Sequence, residues 1–324
     1  MAAIDNVTDF IAMTSWSDLP PAIQTKSVSC LLDSLGATLV GAKTSVAQIA
    51  DTYAREHLKG DGATILGSGA KVSAMGAAFA NAVAANGTDI DDCGIYTGGH
   101  PGAQVFPTAL ALAEELHRSG RELLPIGIQW KQYSCCGWND PTLYATEHLM
   151  RTCSIPVEQI TRIHIVCHRD AYRLGTRLPE TTEEAQFNLA WPIACLLLHG
   201  EVRPEHVLED NLTDPETRAL AGIVDLEESP EFTRLLDLSN AGDPAGAEYA
   251  DVTIELADGR TFASGRIQGS DYDDWPAEEV ESKFRWVLKE TLEEAPIEDI
   301  LAMVRGLPEC DDVSDFVREL PLRA

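Results

Sequence analysis

The stretch Asn86-Gly-Thr-Asp-Ile-Asp-Asp-Cys-Gly-Ile-Tyr-Thr-Gly-Gly-His-Pro-Gly102 organises the rest of the chain. An alanine-rich run over residues 72–85 predicts a helix, which ends at the Asn-Gly pair that opens the stretch. The next helix is predicted to begin near Pro107, because proline is favoured in the first turn of a helix. Acidic residues and a histidine therefore lie on irregular backbone between two helices, an arrangement typical of functional loops.

The chemistry of this loop rests on three carboxylates, at positions 89, 91 and 92, and on His100. A histidine has an ordinary pKa of about 6.5, which suits acid–base chemistry at neutral pH. Aspartates in loops also brace turns, and His-Pro-Gly is a common turn sequence. From the local pattern alone, a catalytic loop and a structural turn both remain open.

The sequence of this stretch closely resembles the signature of the MmgE/PrpD family. It runs NGTDIDDCGIYTGGHPG and is followed, from Pro107, by PTALALAEEL. That family includes 2-methylcitrate dehydratase, cis-aconitate decarboxylase and iminodisuccinate epimerase. Its reactions move a proton at a carbon beside a carboxylate, which requires an acid, a base and cations that hold carboxylates. The resemblance implies a cofactor-free lyase or isomerase of a di- or tricarboxylate, with 2-methylcitrate dehydratase of propionate metabolism as the default member.

Two further segments carry the same resemblance. The sequence KQYSCCGWND at 131–140 resembles the family's Lys-Pro-Tyr-Pro-Cys-Cys-x-x-x-His, with Asp140 at the position of the histidine. The sequence EAQFNLAWPIACLLLHGEV at 184–202 is similar to the family's EAQFSLPYAxAxALLxGxV, with Trp191 where tyrosine is frequent. The resemblance is interrupted after Leu124, where the family continues with helices that hold a His-Pro loop and a basic loop. It therefore implies an internal deletion, and with it a second hypothesis: a non-catalytic remnant that keeps the fold and the dimer surface.

The resemblance implies roles for eight residues. The candidate catalytic residues are Asp89, His100, Lys131 and Tyr133, and the candidate substrate-binding residues are Asp92, Cys93, Cys136 and Trp191. His100 would transfer the proton, Asp89 or Asp92 would orient it or act as the base, and Lys131 would hold a carboxylate. Tyr133 would donate a hydrogen bond or only pack, and Cys93 is interpreted as a packed thiol rather than a nucleophile. The resemblance implies that no cofactor is required. No metal is expected either, since the histidines and cysteines lack ligand spacing.

The composition restricts the class of protein. A net charge of −28 excludes nucleic acid as a partner, because phosphate repels such a surface. The charge favours a salt-rich cytoplasm, where self-repulsion is screened, over an ordinary acidic protein. We expect no membrane span and no secretory signal, and the eight cysteines without a Cys-x-x-Cys pair indicate a reduced cytoplasmic protein.

Periodicity predicts the remaining elements. Helices are expected over residues 5–14 and 20–40, the second because its apolar residues recur near a 3.6 period. Alternation over 160–168 predicts a strand. Alternating segments at 251–256 and 261–267 flank Asp258-Gly259 and predict a hairpin. Two short helices are expected between residues 207 and 238.

The predicted fold is mainly α with an α+β part. By resemblance, residues 1–125 and 275–324 form an all-helical domain, and residues 126–274 form an inserted α+β lid. The resemblance also implies a homodimer, and symmetric dimers are the commonest oligomers.

Overall fold

The computed structural model describes residues 13–93, 99–118, 131–241, 243–269 and 275–320. The chain folds mainly as α-helices, with a smaller part that mixes helices and strands, and the predicted fold class is confirmed. The junction after Leu124 and nearly all of a predicted helix over residues 5–14 lie outside the described residues. No helix within those described ranges combines the length and apolar character needed to cross a membrane.

The N-terminal part is helical except for one short hairpin. Its helices are α1 Pro21–Gly41, α2 Ser45–His57, α3 Ala74–Asn86 and α4 Pro101–Glu115, and its strands are β1 Ala63–Ile65 and β2 Ala70–Val72. The start of α4 corrects the prediction that this helix begins near Pro107. Pro101 occupies the first turn, and Pro107 lies buried inside the helix, where packing offsets the missing backbone donor.

The middle part of the chain mixes both kinds of element. Its helices are α5 Asp140–Thr152, α6 Arg169–Leu174, α7 Thr182–Gln186, α8 Ala190–His199, α9 Pro215–Ala221 and α10 Pro230–Asn240. Its strands are β3 Ile160–Cys167, β4 Val224–Glu228, β5 Tyr249–Leu256, β6 Thr261–Ala263 and β7 Ile267–Gln268. Three C-terminal helices follow: α11 Ala277–Leu288, α12 Glu294–Gly306 and α13 Val313–Glu319.

The strands of the middle part form one sheet in the order β4-β3-β5-β6, with β7 also paired to β5. The predicted hairpin is confirmed by the antiparallel pairs Thr253–Ala263 and Glu255–Thr261, and Gly259 adopts a positive φ of 87° in its turn. Strand β4 was not predicted between the two short helices. It pairs in parallel with β3, so its partner is remote in sequence.

The two larger hydrophobic cores of the described residues hold the molecule together. One contains buried side chains of α1, α4 and the three C-terminal helices, and α1 packs against both α3 and α11. The other lies between α5, α8 and the sheet, with Trp191 among its largest buried side chains. Ile90 belongs to the first core, and this burial draws the acidic loop after α3 into the protein interior.

Candidate active site

The loop that follows α3 is buried and is held by side chains from distant parts of the chain. Its residues from Thr88 to Asp92 are at most 1% exposed. The Gln186 amide donates to the Gly87 carbonyl at 3.0 Å, and the Ser134 hydroxyl donates to the Thr88 carbonyl. Because its backbone acceptors are satisfied in this way, the loop is fixed rather than solvated.

Asp89 has a positive φ of 52°. Aspartate is among the few residue types that visit this left-handed region with modest strain. Its backbone N–H donates to the Asn86 carbonyl at 3.1 Å, which closes a turn directly after α3. The turn directs the Asp89 carboxylate into the interior, where Lys131 lies.

Four charged or titratable side chains form a continuous array. Asp91 Oδ2 lies 3.1 Å from His100 Nδ1, and His100 Nε2 lies 3.3 Å from Asp89 Oδ1. The same Asp89 oxygen lies 2.7 Å from Lys131 Nζ. The structure therefore brings together three of the four candidate catalytic residues and adds Asp91, whose carboxylate is also contacted by the Asn86 amide at 3.2 Å.

The protonation of this array follows from its contacts. Burial opposes the charged form of His100, but the hydrogen bond and the charge of Asp91 outweigh it and raise the pKa of the imidazole. Burial likewise opposes the charge on Lys131, and Asp89 and Asp91 raise the pKa of its ammonium above its usual range. Burial raises the pKa of Asp89, against the opposing effect of Lys131. The His100 side chain is 25% exposed, so it is the member of the array that a ligand can reach.

The thiols next to the array stay protonated at neutral pH. Burial raises the pKa of Cys93 to about 11 and that of Cys136 to about 12. A thiolate is the reactive form of cysteine, so these values favour packed thiols over nucleophiles. Both side chains lie close enough to Lys131 and Asp89 for those charges to act on them.

Asp140 also belongs to this neighbourhood. Burial raises the pKa of its carboxyl to about 7, although the charge of Lys131 opposes the shift. An aspartate with such a pKa titrates in the range normally covered by histidine. This property is relevant because the resemblance of residues 131–140 to the MmgE/PrpD motif implies a histidine at the position of Asp140.

Three of the candidate residues have other surroundings. Asp92 Oδ1 accepts the Gly102 backbone N–H at 2.8 Å and anchors the start of α4. Tyr133 lines a cavity of 390 Å³ between α5 and α11, and burial together with Glu147 raises the pKa of its hydroxyl. Trp191 donates its Nε1–H to the His206 carbonyl at 2.9 Å and packs in the second core.

Sequence reasoning missed a second buried lysine at the site. Lys283 of α11 lies 2.6 Å from Asp33 of α1 and donates to the Ile90 carbonyl at 2.8 Å. A signal was present, because Lys283 occurs beside Val280 and Phe284 on the apolar face of an amphipathic helix. Lys283 therefore connects the acidic loop to α11, on which it lies, and to α1, where Asp33 lies.

One group in the described part of the chain has the geometry to hold a metal ion. Ligand atoms of Asp89, Asp91 and His100 all lie within 4.8 Å of one another. The Lys131 ammonium, at 2.7 Å from Asp89, already supplies a positive charge to one of these ligands. This contact favours Lys131 over a metal ion as the positive charge beside Asp89. The expected absence of a metal stays a prediction.

Comparisons with known proteins agree with the sequence motifs. A family model described as the MmgE/PrpD N-terminal domain matches residues 5–128, and a model of the MmgE/PrpD C-terminal domain matches residues 133–309. The chain is similar to a cis-aconitate decarboxylase of Homo sapiens, with 36% identity over 95 residues. That match spans 29% of this chain and 20% of the human relative.

Proposed function

Because the chain belongs to the MmgE/PrpD family, we propose that it is a cofactor-free lyase acting on a di- or tricarboxylate by proton transfer next to a carboxylate. The observation that carries the proposal is the array of Asp91, His100, Asp89 and Lys131. Asp91 orients the imidazole, and His100 exchanges the proton with substrate at its exposed edge. Lys131 opposes the effect of burial on Asp89 and favours its ionised form, whose negative charge would stabilise the imidazolium that forms.

Asp140 supports the same chemistry. A carboxyl with a pKa of about 7 exists in both protonation states at neutral pH, so Asp140 can act as a second acid or base within range of the charges of Lys131 and Asp89. The likeness to cis-aconitate decarboxylase favours a citrate-like acid as substrate. Our default within that class is 2-methylcitrate, whose dehydration belongs to propionate metabolism.

We further propose that the enzyme works in a reducing, salt-rich cytoplasm. All eight cysteines are free thiols, which is usual where disulfides are kept reduced. With a net charge of −28, the acidic side chains repel one another, and the counterions of a salt-rich cytoplasm shorten the range of this repulsion.

A non-catalytic remnant is the second candidate, and one observation favours it. Both lysines that the structure describes at the site are paired with aspartates, Lys131 with Asp89 and Lys283 with Asp33. A citrate-like anion would therefore meet carboxylates whose neighbouring cations are already engaged. An anionic substrate binds poorly against such a field.

Proton exchange measured by NMR distinguishes the two candidates. The protein is incubated in D₂O with citrate, 2-methylcitrate or cis-aconitate, and loss of the substrate C–H signals is followed together with product formation. We expect exchange with at least one acid, and a decrease of about 10²-fold or more in H100Q, as is usual for loss of a general acid–base. The control is H57Q, because His57 is exposed at the end of α2.

Two results would contradict the proposal. Exchange that is unchanged in H100Q would show that the array is not the catalytic centre. Absence of exchange with all three acids, for a protein that is folded by circular dichroism, would favour the remnant.

A further inference from the structure

The cavity of 390 Å³ between α5 and α11 is lined by both aromatic rings and carboxylates, and we call it the Trp275–Trp286 cavity. Its wall contains two tryptophans, three glutamates and one lysine, namely Trp275, Trp286, Glu147, Glu201, Glu279 and Lys283. None of the residues of the Asp91–His100–Asp89–Lys131 array lines it. The cavity is therefore separate from the array to which we assign proton transfer.

The indole of Trp286 is fixed in the wall of the cavity. Its Nε1 donates to Glu201 Oε2 at 2.7 Å. The Arg203 guanidinium lies 5.1 Å from the centre of the ring, and Arg203 does not line the cavity. One side of the indole is therefore covered from outside the cavity, and a different part of the ring borders it. Trp275 and Trp286 are both half-buried, so each indole keeps surface that a ligand can reach.

Two of the three carboxylates in the wall carry charge that no cation of the protein balances. Neither Glu147 of α5 nor Glu279 of α11 forms an ion pair with another described residue, and Glu147 Oε1 accepts the Gln132 amide at 3.4 Å. Glu147 is half-buried and Glu279 is exposed, so both carboxylates are accessible. Glu201, in contrast, lies 3.4 Å from the ammonium of Lys289.

The lysine in the wall does not offset these two charges. Lys283 Nζ lies 2.6 Å from Asp33 Oδ1 and donates to the Ile90 carbonyl, so its ammonium is engaged inside the protein. Its side chain is only 5% exposed. An anion in the cavity would therefore face unbalanced carboxylates, whereas a cation would meet both these carboxylates and the indoles.

We propose that the Trp275–Trp286 cavity binds a small organic ammonium ion of the quaternary, alkylated type. The alkyl groups of the ligand lie against the two indoles, whose electron-rich rings attract positive charge. Glu147 and Glu279 supply the compensating negative charge. Because a quaternary ammonium has no N–H group, it needs no close hydrogen-bond acceptor, and carboxylates that stay partly hydrated are sufficient to hold it. The volume of the cavity falls within the usual range for small-molecule sites.

Isothermal titration calorimetry with three isosteric probes tests this assignment, at low ionic strength, where the exposed carboxylates are least screened. The probes are choline, its neutral carbon analogue 3,3-dimethylbutan-1-ol and the anion 3,3-dimethylbutanoate, which share a head of three methyl groups. We expect choline to bind and the neutral alcohol to bind at least about tenfold more weakly, since it lacks the positive charge.

Three results of the titrations would overturn the proposal. Equal binding of choline and the neutral alcohol would show a merely apolar cavity. Preferential binding of 3,3-dimethylbutanoate would show an anion site at Lys283. Absence of choline binding at about 10 mM would leave no site, because even weak small-molecule sites saturate in the millimolar range.

Variants connect the binding to the named residues. W275L should weaken choline binding about tenfold, since it keeps an apolar side chain but removes the ring. E147Q keeps the size of the side chain and should weaken binding about threefold, because a partly hydrated carboxylate acts through a screened charge. W138L and E56Q make the same two changes at exposed positions outside the cavity and are the matched controls.

Two further comparisons complete the test. H100Q should bind choline normally, so that failure of the proposed proton transfer and failure of this cavity remain distinguishable. Unchanged choline binding in both W275L and E147Q would place the ligand elsewhere and overturn the assignment.

Discussion

At the scale of single residues, the site is defined by which charges are paired inside the protein. Asp91 replaces Asp92 as the carboxylate that contacts His100, although the two are adjacent in sequence. Sequence reasoning identified the loop because its residue types are unusual. Sequence reasoning could not decide which of the adjacent carboxylates contacts His100, since the side chains of neighbouring residues in a turn point in different directions.

Asp92 gives a test of the buried acid at the start of α4. Burial, followed by the charge of Asp33, raises the pKa of Asp92 to about 7, whereas an unfolded aspartate has a pKa of about 3.9. The folded protein thus favours the neutral acid, whose contribution is fully present below about pH 4 and is lost as the pH rises through about 7. We expect D92N to keep its free energy of unfolding above neutral pH, whereas that of the wild-type protein falls by on the order of 2 kcal/mol.

Urea unfolding at about pH 5 and about pH 8 measures this difference, since the pKa of Asp92 lies between the two. In D92N, the oxygen of the new side-chain amide can still accept the Gly102 N–H. D258N is the control, because the exposed Asp258 has a lowered pKa and stays ionised at both pH values. A stability gap between D92N and wild type that does not grow with pH would contradict the prediction.

At the scale of elements, the beginning of α4 depends on Gly102 having no side chain. A Cβ on Gly102 would lie 2.3 Å from Asp92 Oδ2 and 2.7 Å from Ser34 Oγ, so glycine allows the loop and the helix to approach. We expect G102A to destabilise the protein by about 1–3 kcal/mol, the usual cost of overpacking a well-filled interior. Urea unfolding measures the loss, and hydrogen exchange should show the first turn of α4 opening earlier.

G306A provides the matched comparison. Gly306 ends α12, and a Cβ there meets nothing within 4 Å. That variant should be neutral or slightly more stable, because alanine lowers the entropy of the unfolded chain. Equal effects of the two substitutions would show that the contact at Gly102 is not tight.

The elements also show what could be predicted from sequence and why. Helix α1 was predicted because its apolar residues recur with the helical period, and the β5–β6 hairpin because Asp-Gly marks its turn. The sequence does not predict strand β4, because the strand has only five residues, VDLEE, of which two are apolar, and it pairs in parallel with a strand about 60 residues earlier. The Lys283–Asp33 contact is equally remote, so the position of Lys283 on an apolar helix face indicates its burial but does not identify its partner.

At the scale of the whole molecule, we predict a homodimer formed through the helical part. Exposed apolar side chains occur together on two adjacent helices, Ile49 and Tyr53 on α2 and Met75 and Phe79 on α3. The rings of Tyr53 and Phe79 are in contact, with centroids 5.9 Å apart, so the four side chains are part of one surface. Apolar patches of this kind commonly mark protein interfaces.

Light scattering coupled to size-exclusion chromatography tests the dimer at micromolar concentration and high salt. We expect twice the chain mass of 35.2 kDa for the wild type. I49D should shift the protein toward monomer, because a charge at the centre of an apolar interface is costly to bury. L112D, at an exposed position on α4, is the control substitution. A wild-type monomer under these conditions would contradict the prediction.

The position of Lys283 also has a consequence for how the protein is made. This lysine contacts the Ile90 carbonyl across 193 positions of the chain. At a synthesis rate of about 5–20 residues per second, the acidic loop leaves the ribosome about 10–40 s before its lysine partner. Until then Asp33 has no cation to accompany it into the core, and the apolar face of α1 lacks the cover of α11. We therefore expect the first half of the nascent chain to complete its fold, and the Asp91–His100–Asp89–Lys131 array to be fully assembled, only after α11 has been synthesised.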